Sequence, residues 1–385
     1  MNKRLKFAFW SACTLIAGSA LTGCSSTAPV AAGWPAWEGF KSAYLSDDGR
    51  VIDRSQEDLR TVSEGQAYAM FFALVAADRT AFDDLLAWTE NNLSDGDISK
   101  TLPAWQWGKK ADGWGVIDSN SASDADLWIA YALLEASRVW CEPAYARKAR
   151  ALGNLILKHE TLEVSGLGLS VLPGKQGFVR NDGSVKLNPS YVPSFLMARL
   201  ANAWADEGRW SYIYLASQRL LLDTGRTGSY PDWVLYNNGE LSLPADEQRG
   251  DYDAIRTYLW VGMNSPQDPL SKVLIAQLQP AIQTLISRKH MPEWFEPFQN
   301  TVAPNRGPRG FQVSAAPLLK AAGHSSLAEQ FMSNSLTISD KALWLDYGYY
   351  NGALNLFGTG FMENRYQFNA LGELMLNGNE VKACG

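Results

Sequence analysis

Recurrent helix-length segments are the strongest constraint on what this chain can fold into. From residue 63 onward, stretches of about 12–20 residues with apolar side chains at helical spacing alternate with loops rich in Gly, Pro, Asp and Asn. They predict helices near 63–78, 80–92, 122–140, 143–160, 190–205, 209–223, 251–263, 269–288, 311–322, 325–335 and 342–357. In the third, Leu127, Tyr131 and Leu134 share one face. Ser63 with Gln66 has capping-box spacing, Ser121 with Asp124 a looser version, and Pro143 and Pro269 sit where a first turn tolerates proline. One strand pair is expected, 164–172 with 177–187. No solenoid repeat or low-complexity block interrupts the pattern. With 46% hydrophobic residues in 385, the expectation is one all-α domain of about a dozen helices, as a closed toroid of helix pairs or an open stack.

The first 24 residues read differently. Lys3, Arg4 and Lys6 precede an apolar run too short for a stable span, ending at Leu21-Thr22-Gly23-Cys24. This looks like a lipoprotein-type signal in which Cys24 is lipidated, and residues 25–33 then form a flexible tether to a domain at 34–385. An ordinary signal peptide cut near Ala28 to Ala32 is the alternative. Either way the protein leaves the cytoplasm, and any membrane association is through the lipid. Ser25 is not the Asp that retains lipoproteins at the inner membrane, so an outer-membrane anchor facing the periplasm is expected. Cys141 and Cys384 could pair there, or remain free thiols.

Charge and missing motifs narrow the chemistry. Removing Lys3, Arg4 and Lys6 lowers 34 basic residues to 31 against 40 acidic, a balance of −9. That, with no long basic run, argues against nucleic acid. The histidines, His159, His290 and His324, lack metal-ligand spacing. Gly323-His324-Ser325-Ser326-Leu327 fails as a nucleophile elbow, and neither Gly166-Leu167-Gly168 nor Gly358-Thr359-Gly360 completes a dinucleotide fingerprint. No metal or cofactor is expected, so catalysis must rest on carboxylates.

Three acidic clusters sit at predicted helix starts. Glu64 precedes Gly65, whose lack of a side chain could admit a ligand. Asp118, Asp124 and Asp126 exceed what one helix cap needs, and Asp253 stands three residues before Arg256. Two placed carboxyls suffice for glycoside hydrolysis: one protonates the leaving oxygen, the other activates water. Aromatic side chains that could carry sugar rings include Trp105, Trp107, Trp114, Tyr191, Trp233 and Tyr236, and Asn120, Asn188 and Arg256 could bind hydroxyls. The loops at 93–120 and 225–250 are long and aromatic, which suits binding.

Residues 122–140, from Ala122-Ser123-Asp124-Ala125-Asp126 through Val139-Trp140, resemble the signature of glycoside hydrolase family 8 along its whole length. Further landmarks resemble the branch of that family that accompanies bacterial cellulose synthase: Trp34-Pro35-Ala36-Trp37, Ser63-Glu64-Gly65-Gln66, Leu102-Pro103-Ala104-Trp105, Leu172-Pro173-Gly174-Lys175, Asn188-Pro189-Ser190-Tyr191, Pro231-Asp232-Trp233 and Tyr252-Asp253-Ala254-Ile255-Arg256. The resemblance implies an (α/α)6 barrel of six inner and six outer helices with minor β-hairpin insertions. It also implies an inverting endo-β-1,4-glucanase in cellulose biosynthesis and export, working on a β-1,4-glucan chain beside the cellulose synthase complex. In that scheme Glu64 is the general acid, Asp253 the general base, and Asp124 holds the sugar before the cut. Tyr191 lies near the attacking water, and Arg256 orients the base. An inverting pair should stand roughly 6.5–9.5 Å apart to admit water. Other family specificities (xylanase, licheninase, chitosanase) and a non-catalytic glucan-binding lipoprotein are the alternatives.

Overall fold

A computed structural model describes residues 33–381. The signal segment, Cys24, residues 25–32 of the tether and Cys384 lie outside the described residues.

Fourteen helices occur among the described residues: α1 (Pro35–Tyr44), α2 (Ser63–Val75), α3 (Arg79–Leu93), α4 (Ser123–Trp140), α5 (Pro143–His159), α6 (Ser194–Ala203), α7 (Arg209–Gly225), α8 (Ala254–Met263), α9 (Pro269–Gln277), α10 (Gln279–Arg288), α11 (Arg309–Ala321), α12 (Ser325–Met332), α13 (Lys341–Tyr347) and α14 (Tyr349–Met362). Inner helices α2, α4, α6, α8, α11 and α14 alternate along the chain with outer helices α1, α3, α5, α7, the α9–α10 pair and α12, and α13 is added against α1 and α14. This is the (α/α)6 barrel.

Burial separates the two rings by sequence pattern. Every residue of α8 is buried, and every residue of α2 except Glu64. A helix apolar all round belongs inside. Outer helix α5 instead buries one stripe, Tyr145, Ala149, Leu152, Gly153, Ile156 and Leu157. At Gly262 the inner ring is tightest: a Cβ there would lie 2.2 Å from the Leu318 backbone nitrogen of α11. Rings from five inner helices plug the barrel. Phe71 and Trp128 meet at 5.0 Å, Trp128 and Phe357 at 5.2 Å, and Trp260 and Phe357 at 4.9 Å, while Phe195 stacks on Phe368 at 3.8 Å. Much of the aromatic content is therefore core.

Several expectations need correction. Helix 269–288 breaks at Leu278, because Pro280 at the start of α10 cannot continue the hydrogen-bond ladder. Helix 342–357 breaks at Gly348, whose φ of +87° is closed to most side chains. Helix 190–205 starts late: Pro189–Tyr191 forms a 3-10 turn, and Pro193 delays α6 to Ser194. The short, aromatic α1 was not anticipated. Nor does 164–172 pair with 177–187. Instead β4 (Thr161–Val164) and β5 (Gly168–Val171) form a local hairpin. The 177–187 segment contributes β6 (Val185–Leu187), which pairs with β7 (Val234–Asn237), itself followed by β8 (Glu240–Ser242). Buried Val185, Leu187, Val234 and Tyr236 explain that choice of partner.

The long loop at 93–120 also carries strands. β2 (Gln106–Lys110) and β3 (Gly113–Asp118) form a hairpin that β1 (Thr61–Val62) joins. β9 (Phe295–Glu296) pairs with β10 (Thr301–Val302), and β11–β13 (Tyr366–Phe368, Leu374–Leu376, Asn379–Glu380) close the chain. Cys141 is disulfide-bonded. No described helix is long and apolar enough to cross a membrane.

Candidate active site

The three carboxylates singled out in the sequence converge at one end of the barrel, each at the start of an inner helix. β1, paired to β2, feeds directly into α2, and the Ser63 N–H donates to the Trp105 carbonyl at 2.9 Å. Glu64 follows, half-buried, with Oε2 buried and without a hydrogen-bond partner. Burial pushes its carboxyl up to about 8, with repulsion from Asp124 and Asp253 adding and Arg256 opposing. A carboxyl that keeps its proton at neutral pH, with an oxygen uncommitted to the protein, is equipped to protonate a leaving group.

The expected capping boxes do not form. Ser63 Oγ has no hydrogen-bond partner, and Gln66 reaches instead to the Val51 N–H and the Gly49 carbonyl. Gly65 faces protein rather than ligand: a Cβ there would meet the Tyr349 hydroxyl at 2.4 Å.

Asp124, 1% exposed in the first turn of α4, accepts from the Ala125 N–H at 2.9 Å and pairs with Arg256 Nη1 at 2.7 Å. Asp253 is the N-cap residue of α8 yet makes no side-chain cap bond. That task falls to Asp232, whose Oδ1 accepts N–H bonds from Asp251, Asp253 and Ala254 at 2.8, 3.2 and 2.7 Å. The Asp253 carboxylate is left free to pair with Arg256 Nη2. Arg256 Nη1 also donates to the Tyr68 hydroxyl at 2.9 Å. One buried guanidinium thus spans the carboxylates of α4 and α8 and a tyrosine of α2. Burial raises both aspartates above the ordinary range, and Arg256 pulls both back. Asp232 is pushed up to about 9 by burial, with Asp253 and Asp251 adding to it.

Tyr191, on the 3-10 turn, lies 5.4 Å above the Arg256 guanidinium and 5.9 Å from the Trp233 ring. Trp233 is stacked on Phe178 and carries Lys186 Nζ at 4.3 Å. A hollow of about 360 Å³ opens beside Trp233, bounded by Asp232, Glu247, Arg249 and Asp251. On the β2–β3 hairpin, Trp107 and Trp114 stack at 5.5 Å with Arg50 over both. Trp114 is 50% exposed and Trp105 also reaches solvent.

Asn120 and Tyr236 are engaged elsewhere, while Asn188 is only partly committed and keeps a buried Nδ2 without a hydrogen-bond partner. Asn120 braces its loop, donating to the Gln176 carbonyl at 3.0 Å and accepting from the Ser121 N–H. Asn188 caps the 3-10 turn through the Ser190 N–H and hydroxyl, and its side chain also faces Asp253. Tyr236 is buried with its hydroxyl on Asp223, so it is core. Sequence reasoning missed Tyr68 and Asp232. Tyr68 lies one turn after Glu64, a spacing that could have flagged it. Asp232 stood in a noted landmark, but its reach to the α8 start is not local in sequence. Among the described residues, no group of three or more His, Cys, Asp or Glu is arranged to hold a metal ion.

Comparison with known proteins places the whole fold among characterised relatives. The family model described as glycosyl hydrolases family 8 matches residues 6–364. An endoglucanase of Salmonella typhi is 42% identical over 351 residues, 90% of this chain and 92% of that protein. An endoglucanase of Escherichia coli O157:H7 is 41% identical over 345 residues, covering 89% and 90%. The crystal structure of an endo-1,4-D-glucanase from Vibrio fischeri ES114 superposes with a TM-score of 0.81 at 39% identity, covering 89% of this chain and 99% of that one.

Proposed function

The chain belongs to glycosyl hydrolases family 8, and from that premise we propose that it cleaves β-1,4-glucan internally by an inverting acid–base mechanism. Its activity is that of a glycoside hydrolase of the endoglucanase kind, a cellulase. The observation that carries the mechanistic reading is the arrangement of Glu64, Asp124 and Asp253 around Arg256, with Glu64 raised to about 8 and both aspartates ion-paired.

In this reading the Glu64 carboxyl donates its proton to the glycosidic oxygen as the bond breaks. Asp253, oriented by Arg256, takes a proton from the water that attacks the opposite face of the sugar. Asp124 accepts hydrogen bonds from hydroxyls of the ring that flattens toward an oxocarbenium shape. Tyr191, beside Arg256, borders the path of the water. Trp233 and the half-exposed Trp114 beside Trp107 offer aromatic surface to further sugar rings.

The same reading includes export and a lipid anchor at Cys24, supported by the Leu21-Thr22-Gly23-Cys24 sequence. It also includes service to bacterial cellulose synthesis from the periplasmic side, supported by the landmark residues described above. The test is product analysis on carboxymethylcellulose, with xylan, mixed-linkage glucan and chitosan in parallel, for wild type and Glu64→Gln. Short cello-oligosaccharides from wild type alone, first released as the α-anomer by NMR, are expected. β-anomer product refutes inversion. A fully active Glu64→Gln refutes the acid, and turnover of xylan or chitosan instead moves the specificity within the family. Binding without turnover of any glucan favours a non-catalytic glucan-binding lipoprotein.

A further inference from the structure

Behind the catalytic carboxylates lies a second acidic group that the mechanism above does not use. Asp126, one turn into α4, and Glu160, which ends α5, are both 0% exposed. Neither Asp126 oxygen finds an N–H or O–H donor, nor does Glu160 Oε2, although all three are buried. The hydrogen-bonding group that Asp126 faces is the Glu160 carboxyl itself. Two carboxyls can bond to each other only when one keeps its proton. Glu160 Oε1 accepts from the Ser121 hydroxyl, and Ser121 Oγ accepts from the Lys175 N–H at 3.1 Å. Ser123 N–H donates to the Pro173 carbonyl at 3.0 Å. The node therefore ties the start of α4, the end of α5 and the 173–175 loop together, two residues from Asp124.

We propose that Asp126 and Glu160 share a single proton, and that this half-neutralised pair positions the first turn of α4 and with it the Asp124 carboxylate. The charged groups facing the pair are Asp124 on α4, Glu64 on α2 and Lys175 in the loop after β5. Burial and Glu160 raise Asp126 well above the carboxylate range, and burial pushes Glu160 up to about 7. A fully ionised pair would add a second negative charge beneath Glu64 and Asp124 and drive α4 and α5 apart. Asp126 and Glu160 are positioning residues, and the inference rests on the reading of Asp124 as the sugar-holding carboxylate.

Glu160→Gln replaces the shared proton with a permanent N–H donor at the same net charge, and Asp126→Asn does so from the other side. Glu160→Ala removes the partner. The measurements, on the full chain, are Tm between pH 5 and pH 8, and kcat and KM on carboxymethylcellulose at pH 6. The native pair retains a proton that the unfolded chain releases near pH 4–5, so its contribution to wild-type stability falls as pH rises. Glu160→Gln is expected to lose about 3–4 °C less Tm than wild type across that range. It should retain kcat within about 3-fold, whereas Glu160→Ala, by misplacing Asp124, loses about 100-fold in kcat. Equal Tm slopes in wild type and Glu160→Gln overturn the shared proton. A Glu160→Gln as inactive as Glu160→Ala overturns the positioning role. Should Glu160→Ala not fold, Asp126→Asn and Glu160→Gln give the same two readouts. The Tm slopes need no substrate, so they stand apart from the assigned reaction, which fails instead if wild type cleaves no glucan.

Discussion

Arg256 is where stability, pH dependence and turnover meet, so Arg256→Met is the most informative single change. Methionine has similar length and packs in an apolar setting but cannot pair. Asp124, 1% exposed, loses its counter-ion at 2.7 Å, Tyr68 loses its donor, and Asp253 loses the group that orients it. Breaking one side of a buried ion pair costs about 3–5 kcal/mol. With an unfolding entropy of about 2.1 cal/mol/K per residue, that lowers Tm by about 4–6 °C for a chain of this length. The pH sign follows from the guanidinium's effect on both aspartates, which it pulls downward. Without it both rise further, the native state takes up protons more readily than the unfolded chain, and stability falls as pH rises. The Tm deficit against wild type should therefore be small near pH 4–5 and grow toward pH 8. The base must be ionised to work, so the acid limb of kcat/KM moves to higher pH, and kcat at pH 6 drops by about 100-fold or more. Arg256→Lys keeps the charge but not the fork, so it recovers part of the Tm and little of kcat. Thermal melts across pH and reducing-end assays on soluble β-1,4-glucan give all the readouts. A Tm deficit that shrinks with rising pH, or an acid limb at the wild-type position, refutes the bridge as the organiser of the site.

Four further outcomes follow from the same geometry. The alkaline limb of kcat/KM should fall near pH 8, because Glu64 must be protonated to act and is raised to about that value; an alkaline limb near pH 5–6 contradicts the assignment. Asp232→Ala removes the acceptor of three N–H groups at the α8 start, at a cost of about 1–2 kcal/mol and a lower kcat. Asp232→Asn keeps Oδ1 and supplies a donor toward Asp251, so it should melt and turn over like wild type. Trp107→Ala removes the ring that stacks on Trp114, and should raise KM on long glucans about 10-fold while leaving kcat nearly unchanged; an unchanged KM takes the hairpin out of the binding cleft. Gly262→Ala forces a Cβ to 2.2 Å from the Leu318 nitrogen and should lower Tm by several degrees, read by calorimetry; no change would mean that α8 and α11 can part without cost.

Local chemistry explains which features were legible before the fold was known. The long apolar periods that became α2, α4 and α8 announce buried helices through composition alone, because a segment with no polar face has nowhere to go but inside. Glu64, Asp124, Asp253 and Arg256 were visible as charged residues at the starts of those helices, where a buried charge demands a reason. The sequence by itself thus determined an all-α chain, the helices that carry the apolar stretches, and the candidate reactive groups. Features that depend on partners distant along the chain were settled only in three dimensions. β6 left its sequence neighbour for β7, since Val185 opposite Tyr236 and Leu187 opposite Val234, far apart in the chain, share one buried face. Asn120 and Tyr236 were drawn into loop bracing and core, because a local pattern carries no record of which side chain will face the cleft. Asp232 took over the cap of α8 and so released Asp253, and Glu160 came to face Asp126 across two elements. Burial and the mutual approach of like charges raise a carboxyl's proton affinity, and both are properties of the assembled barrel rather than of any segment of it.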